Sequence, residues 1–405
     1  MAPSSTIALT ADRYPIAQLQ CETDTGIATI PLSEEVAFRS WQNDIPEAYM
    51  DLGADELTRR IHAARATLGE RVVILGHHYQ REDIIAFADE RGDSFQLAQY
   101  AANRGESEFI VFCGVHFMAE AADVLRADHQ QVILPNMAAG CSMADMAAEP
   151  DVHRAWAELK EFFGTTEDVI PVTYMNSAAS LKAFCGANGG VVCTSSNATK
   201  VLDWAFERGK RVFFFPDQHL GRNTGHAMGI PLEEMVLWNW RMPAGNLGGA
   251  SAEALERSRI ILWQGHCSVH QRFTVQQIEQ ARAANPDVKI VVHPECRYDV
   301  VQAADANGST GYIVKYIEQA PPGSVIGVGT EINLVSRLAK EHPDKTVFCL
   351  DPVVCPCSTM YRVHPAYLAW VLEALVEGHV VNRLQVPEHH RRDAKVALDR
   401  MLALK

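Results

Sequence analysis

From about residue 70 the chain alternates short apolar runs with segments whose apolar positions recur at helical spacing. The runs are "RVVILGHHY", "EFIVFCGV", "QVILPNM", "DVIPVTYMNS", "GVVCTSSNA", "RVFFFPDQH", "RIILWQGHC", "KIVVHPEC", "SVIGVGTE" and "TVFCLDPVVC". They are rich in Val, Ile and Phe and show no alternating polar face, so both faces must be covered. Helical stretches such as "VHRAWAELKEFFG" and "TVQQIEQARAANP" lie between most of them. Continuous apolar strands alternating with helices predict parallel sheets sandwiched by helices, an α/β fold. An earlier helix is predicted in "ADELTRRIHAARATLGE", closed by Gly69.

The runs fall into three sets that begin near residues 70, 169 and 259, which predicts three similar α/β units. The expected organisation is an N-terminal extension over 1–55 and a first unit over 56–140, completed by 360–405. A second unit covers 141–257 with an insertion at 222–250, and a third covers 258–359. The insertion, "GRNTGHAMGIPLEEMVLWNWRMPAGNLGGAS", interrupts the pattern and reads as a structured addition or lid.

Composition narrows the function classes. The chain has 405 residues, 47% hydrophobic and 21% charged, and a formal net charge of −14. That charge argues against a nucleic-acid surface, which needs a basic stripe. No apolar run reaches the roughly 18–20 residues of a membrane helix, and the first residues lack the pattern of a secretory signal. The expectation is a cytoplasmic protein with neither nucleic acid nor membrane as partner. In a reducing compartment its 10 cysteines are expected to be buried thiols, metal ligands or catalytic groups.

In open α/β sheets ligands bind beyond the carboxyl ends of the strands. Those positions here hold His77, Tyr79, Cys113, Tyr174, Asn176, Ser195, Cys267, His270, His293, Glu295, Ser309, Thr310 and Cys357. Three of them, Cys113, Cys267 and Cys357, are spread over the three units. Three sheets facing one point would gather these sulfurs into a cluster site with one incompletely ligated iron. Zinc with His270 or His293 as a fourth ligand fits the same residues, and so do plain buried thiols.

The motifs "FCGVHFMAE", "VTYMNSAASLKAFC", "CTSSNA", "FFPDQHLGRNT", "WQGHCSVH", "HPEC", "GST" and "CSTM", in this order, resemble the quinolinate synthase family of bacterial NAD synthesis. The likeness runs from "ILGHHYQREDIIAFADERGDSFQLA" to about residue 375. Each motif alone is weak, but eight in sequence are specific. The resemblance implies three pseudo-symmetric α/β/α three-layer domains with the active site at their common interface. It implies a transferase that condenses iminoaspartate with dihydroxyacetone phosphate to quinolinate, releasing phosphate and water. Its cofactor would be one 4Fe-4S cluster per chain, with one iron lacking a protein ligand. It also allows transient contact with the upstream aspartate oxidase.

Carried onto this sequence, the resemblance implies Cys113, Cys267 and Cys357 as cluster ligands, the last chosen by its spacing to Met360. It implies His293, Glu295, Tyr79 and Tyr174 as catalytic groups. Substrate would be held by His77, Ser94, Tyr174, Asn176, Ser195, His270, Ser309 and Thr310. Cys355 is then dispensable, with a strained bond to Cys357 as its alternative, and Cys296 is a candidate substitute ligand. Blander roles compete at several positions: the Ser and Thr residues suit helix caps, and a tyrosine after a buried strand suits packing. Arg272 and Lys182 are candidate anion partners, His78 points away from the site, and His219 serves structure.

Overall fold

The computed structural model describes residues 29–34, 45–103, 105–353 and 356–404. Most of the expected N-terminal extension, and Cys355 with its proposed bond, lie outside the described residues. The described strands, in chain order, are β1 (Val72–His77), β2 (Glu90–Gly92), β3 (Phe109–Cys113), β4 (Gln131–Ile133), β5 (Val169–Tyr174), β6 (Val191–Cys193) and β7 (Arg211–Phe215). They continue with β8 (Met235–Trp238), β9 (Ile260–Trp263), β10 (Lys289–Val292), β11 (Ala306–Asn307), β12 (Val325–Gly329), β13 (Thr346–Cys349) and β14 (Arg383–Leu384).

These strands form three sheets, ordered β14-β4-β3-β1-β2, β6-β5-β7-β9-β8 and β11-β10-β12-β13. Pairing is parallel throughout except between β14 and β4. Every residue of β1 and of β5 is buried, as expected of strands covered by helices on both faces. The fold is α/β, with several three-layer α/β/α units. Among the described residues no helix is long and apolar enough to cross a membrane.

Two expectations change at the level of pairing. The "RIILW" run was expected to open the third unit, yet β9 pairs with β7 and with β8 in the second sheet. The 222–250 stretch is regular structure of the second unit. It holds most of the Gln218–Ala227 helix and supplies β8, the edge strand of that same sheet. The C-terminal segment returns to the first sheet through β14, and its last helix, Glu388–Ala403, lies on the Ala179–Ala187 helix of the second unit. Gly186 sits at that crossing, where a side-chain carbon would meet the Asp393 carbonyl oxygen at 1.8 Å. Only glycine lets the two backbones approach this closely.

The first and second units share one apolar core, from Leu57 and Ile74 through Phe214 and Leu262 to Leu398 and Met401. The third unit has a separate one, from Phe273 to Leu350. Its strands end toward the other two, and that convergence makes the site.

Candidate active site

Beyond the strand ends lies a cavity enclosing ≈ 640 Å³ of space between protein atoms, part of it continuous with solvent. Its wall includes His77, Tyr79, Tyr174, His270, His293 and Glu295. Ser94, Asn176, Ser195 and Thr310 complete the polar part of the lining. Ser309 instead faces a neighbouring hollow shared with Asp93, Gln96, Ser195, Ser196 and Lys315.

The acid–base candidates form one hydrogen-bonded chain across the three units. Tyr174, the last residue of β5, donates its hydroxyl to Glu295 Oε1 at 2.6 Å. Glu295 Oε2 lies 2.7 Å from His270 Nδ1. His270 Nε2 lies 3.1 Å from Thr330 Oγ1, which is 2.6 Å from the Tyr79 hydroxyl. His293 stacks on His270 with ring centres 4.5 Å apart. An ionised carboxylate only accepts, so His270 presents its Nδ1–H to Glu295 and its Nε2 to the threonine hydroxyl.

Charge follows from this pairing. Burial acts to raise the Glu295 carboxyl, but His270, His293 and the hydrogen bonds from His270 and Tyr174 outweigh it and hold the group at about 2. Burial holds His293 neutral, at about 3. Burial and the Glu295 charge push both Tyr79 and Tyr174 well above the usual phenol range. The site therefore combines one ionised carboxylate with neutral proton donors, an arrangement suited to moving protons in a dry pocket.

The other sequence candidates separate by role. His77 ends β1 and accepts a hydrogen bond from the Tyr79 backbone at 3.1 Å. Ser94 begins a helix, but the cap is Asp93, whose Oδ1 accepts from the Phe95 and Gln96 backbones at 3.0 Å each. Ser309 caps the Thr310–Gln319 helix through the Tyr312 backbone. Asn176 Oδ1 is buried without a protein partner, an acceptor open to a substrate donor. Arg272 pairs with Asp351 at 2.6 Å, and Lys182 is buried and donates to the Ser177 carbonyl, so both already have protein partners.

Sulfur is where the geometry departs most from expectation. The cavity wall carries Cys141, Cys267 and Cys357; Cys113 does not line it. Cys113 is not past its strand but within it, in register with Gly76 of β1. Burial alone raises its thiol to about 12. Cys141 is also pushed up to about 12, by burial and then by the nearby Cys357. Cys267 is raised well above its ordinary value by burial, by Glu295, and by Cys357 and Cys141. Burial also raises the Cys357 thiol, so all three thiols lining the cavity are held protonated by burial, and a thiophilic metal would have to displace those protons to bind. Cys296 donates its thiol to the Gly329 carbonyl at 3.5 Å and does not line the cavity.

Three residues in or beside the cavity were not singled out by the sequence. Cys141 follows "NMAAG" and opens a short helix; its signal is a cysteine in a loop after a strand. Thr330, directly after β12, bridges Tyr79 and His270. Glu331 accepts from the Cys357 backbone at 3.1 Å, fixing the loop that carries that sulfur. Burial lifts its carboxyl to about 7.

Comparison with known proteins places the chain in a family. The family described as "Quinolinate synthetase A protein" matches residues 59–403. The chain is 60% identical over 363 residues to a protein of Corynebacterium glutamicum named "Quinolinate synthase", covering 90% of this chain and 91% of that one. A Geobacillus protein (strain WCH70) of the same name is 52% identical, over 89% of this chain and 97% of that one. A third so named, from Rhodopirellula baltica, is 52% identical over 88% of this chain and 93% of that one. With the match spanning all three sheets and every residue of the site just described, the chain belongs to the quinolinate synthetase A protein family.

Proposed function

We propose that the protein is a quinolinate synthase of NAD biosynthesis, a cytoplasmic transferase condensing iminoaspartate with dihydroxyacetone phosphate. One observation carries this reading. Tyr174, Glu295, His270 and Tyr79, joined into one relay through Thr330 behind them, line the same cavity as three cysteine thiols. A hydrolytic or sensing protein has no need of both.

The three thiols proposed as cluster ligands are Cys141, Cys267 and Cys357, with Cys141 in place of Cys113. A 4Fe-4S cluster suits them, because three soft thiols whose ionisation burial opposes gain most from a cationic centre that takes them as thiolates. When bound, it would supply a Lewis acid that makes a substrate hydroxyl a better leaving group.

The chain's own groups account for the proton traffic. The carbon–carbon bond forms as the enamine carbon of iminoaspartate attacks the triose phosphate, which loses inorganic phosphate. Glu295, ionised, takes the proton that this carbon releases. A proton shift from the terminal CH2OH carbon to the ketone carbon then makes that terminus an aldehyde and the ketone a secondary alcohol. Ring closure joins nitrogen to the terminal aldehyde carbon and expels water, with Tyr79 or neutral His293 lending the proton that the departing oxygen needs. Loss of a second water leaves the aromatic ring. Thr330 and His270 pass protons between Tyr79 and Glu295 without entering bulk solvent. Asn176, Ser94, Ser195 and Thr310 offer hydroxyl and amide partners to carboxylate and phosphate oxygens, with the starts of the Ser94–Asn103 and Thr310–Gln319 helices adding favourable backbone dipoles. Iminoaspartate must come from an enzyme that oxidises the amine of aspartate, so transient contact with the upstream oxidase belongs to the same reading.

A zinc enzyme is the rival, because ligand atoms of Cys267, His270 and Glu295 lie within 4.8 Å of one another. Both nitrogens of His270 already have protein partners, which favours the relay. Anaerobic purification decides. Brown protein with about four irons per chain and quinolinate formed from the two substrates is expected. Colourless protein holding zinc and inert toward those substrates would overturn the reading.

A further inference from the structure

Behind Glu295 lies the Gln218–Ala227 helix of the second unit, within the stretch that the sequence suggested was structural or a lid. Three of its residues, spaced 219, 223 and 226, share one helical face and touch the third unit. His219 Nε2 meets Gln271 Oε1 at 2.9 Å, and His226 Nε2 meets the Tyr298 hydroxyl at 3.2 Å. Between them, Asn223 donates from Nδ2 to the Pro294 carbonyl and to the Cys296 carbonyl, at 2.9 Å each. These are the two carbonyls that flank Glu295.

We infer that Asn223 is a positioning residue for the active-site glutamate, cross-tying the backbone on either side of Glu295 from another unit of the fold. The inference rests on the reading of Glu295 as the acid–base group. Three features carry it. A single nitrogen with two N–H groups is needed to hold two carbonyls at once, and among neutral side chains only an amide supplies one. The amide orientation is fixed, since both partners only accept and Oδ1 is buried with no partner. Both donors of this side chain are thus spent on the Glu295 turn.

The support behind it is rigid. The helix is capped by Asp217, whose Oδ1 accepts from the His219 backbone at 2.7 Å. It lies so close to the second sheet that a side-chain carbon on Gly221 or Gly225 would meet Leu262 or Ile260 at 2.6 Å. The turn itself closes through the Cys296 N–H to the His293 carbonyl at 3.0 Å, and the Asn223 amide ties it to the second unit. A drift of an ångström in a proton-transferring group costs rate far more than it costs folding.

The test uses the anaerobically purified, cluster-loaded enzyme. Asn223→Ala is expected to lower kcat about 10–100-fold, with KM for both substrates, iron content and cluster absorbance unchanged. Tyr298→Phe removes a neighbouring contact of the same helical face without touching the Glu295 turn, and is expected to keep wild-type kcat. Wild-type kcat in Asn223→Ala, or an equal fall in Tyr298→Phe, would overturn the inference. If Asn223→Ala does not accumulate as folded protein, Asn223→Ser is read by the same criterion. Glu295→Gln separates the two levels of argument. If it stays active, the reading of Glu295 fails; if it is inactive while Asn223→Ala is normal, only the positioning role fails.

Discussion

Where the first and second units meet, apolar side chains run unbroken from one sheet to the other. Against the third unit, whose core is separate, the contacts are polar. Arg337 donates to the His78 carbonyl at 3.2 Å, Tyr79 meets Thr330, Tyr174 meets Glu295, and Asn223 ties down Pro294 and Cys296. The first seam is built for stability, because apolar burial is favourable without directional requirements. The second is built for chemistry, because buried polar groups specify geometry but add little net stability. A site between two polar substrates could form only at the second. Substitutions in the apolar seam should therefore change stability before activity, and those in the polar seam the reverse.

The largest effect expected concerns the sulfurs. Serine at Cys141, Cys267 or Cys357 should each leave the protein without iron and without quinolinate formation, measured by metal analysis after anaerobic purification. Cys113→Ser belongs to the apolar core and should keep its iron while melting lower. Iron lost from Cys113→Ser and retained by Cys141→Ser would reverse the proposed ligand set.

Next comes the relay. Glu295→Gln keeps the shape but removes the charge, and should lower kcat by about 10²–10⁴-fold, the usual scale for a lost acid–base group. Its melting temperature should hardly fall. Thr330→Val, which breaks the link between Tyr79 and His270, should lower kcat less and leave iron content alone. A Glu295→Gln variant that unfolds instead of losing rate would blur the distinction between the seams.

How much of this was legible beforehand depends on whether the information was local. The run "RVVILGHHY" becomes β1 because apolarity on both faces is a local property. Likewise His77, Tyr79, Tyr174, His293 and Glu295 could be picked out because they follow such runs, and they do line the cavity. Pairing is not local. "RIILW" looks the same whether it opens a third sheet or extends the second, and only the free edge beside β7 decides. Of the three cysteines singled out, Cys267 and Cys357 line the cavity, whereas Cys113 is the last residue of its strand, a boundary that sequence periodicity cannot place. Cys141 stands just before a four-residue helix, too short to show a periodic pattern. Asn223 was invisible because its partners are backbone carbonyls some 70 residues away, which leave no trace in side-chain identity.

Gly186→Ala tests the apolar seam. The added carbon would meet the Asp393 carbonyl oxygen at 1.8 Å, so the C-terminal helix must move off the second unit. Overpacking of this kind costs about 3 kcal/mol, visible as a lowered denaturation midpoint. The folded fraction should retain wild-type kcat, since nothing in the cavity shifts. A fall in kcat at unchanged stability would mean that the two seams are mechanically coupled.

The smallest effect expected comes from acid at the polar seam. Burial, and then the Arg337 charge, depress the His78 imidazole to about 4. The unfolded chain therefore binds a proton at this position below its ordinary value of about 6.5, while the folded one does not until about pH 4. Between those values the unfolded state holds more protons, so stability falls as pH falls. The contribution is fully present above pH 6.5 and gone below about 4. A 2.5-unit difference sets its ceiling at roughly 3 kcal/mol, less whatever solvent at the seam's edge screens away. His219 is depressed to about 4 in the same way, by burial and by Arg222, and should act in the same window. Melting temperature followed from pH 7.5 to 4.5 should decline through this range in the wild type, and less steeply in His78→Gln. Equal slopes would mean that the His78 imidazole is not depressed by its burial at this seam.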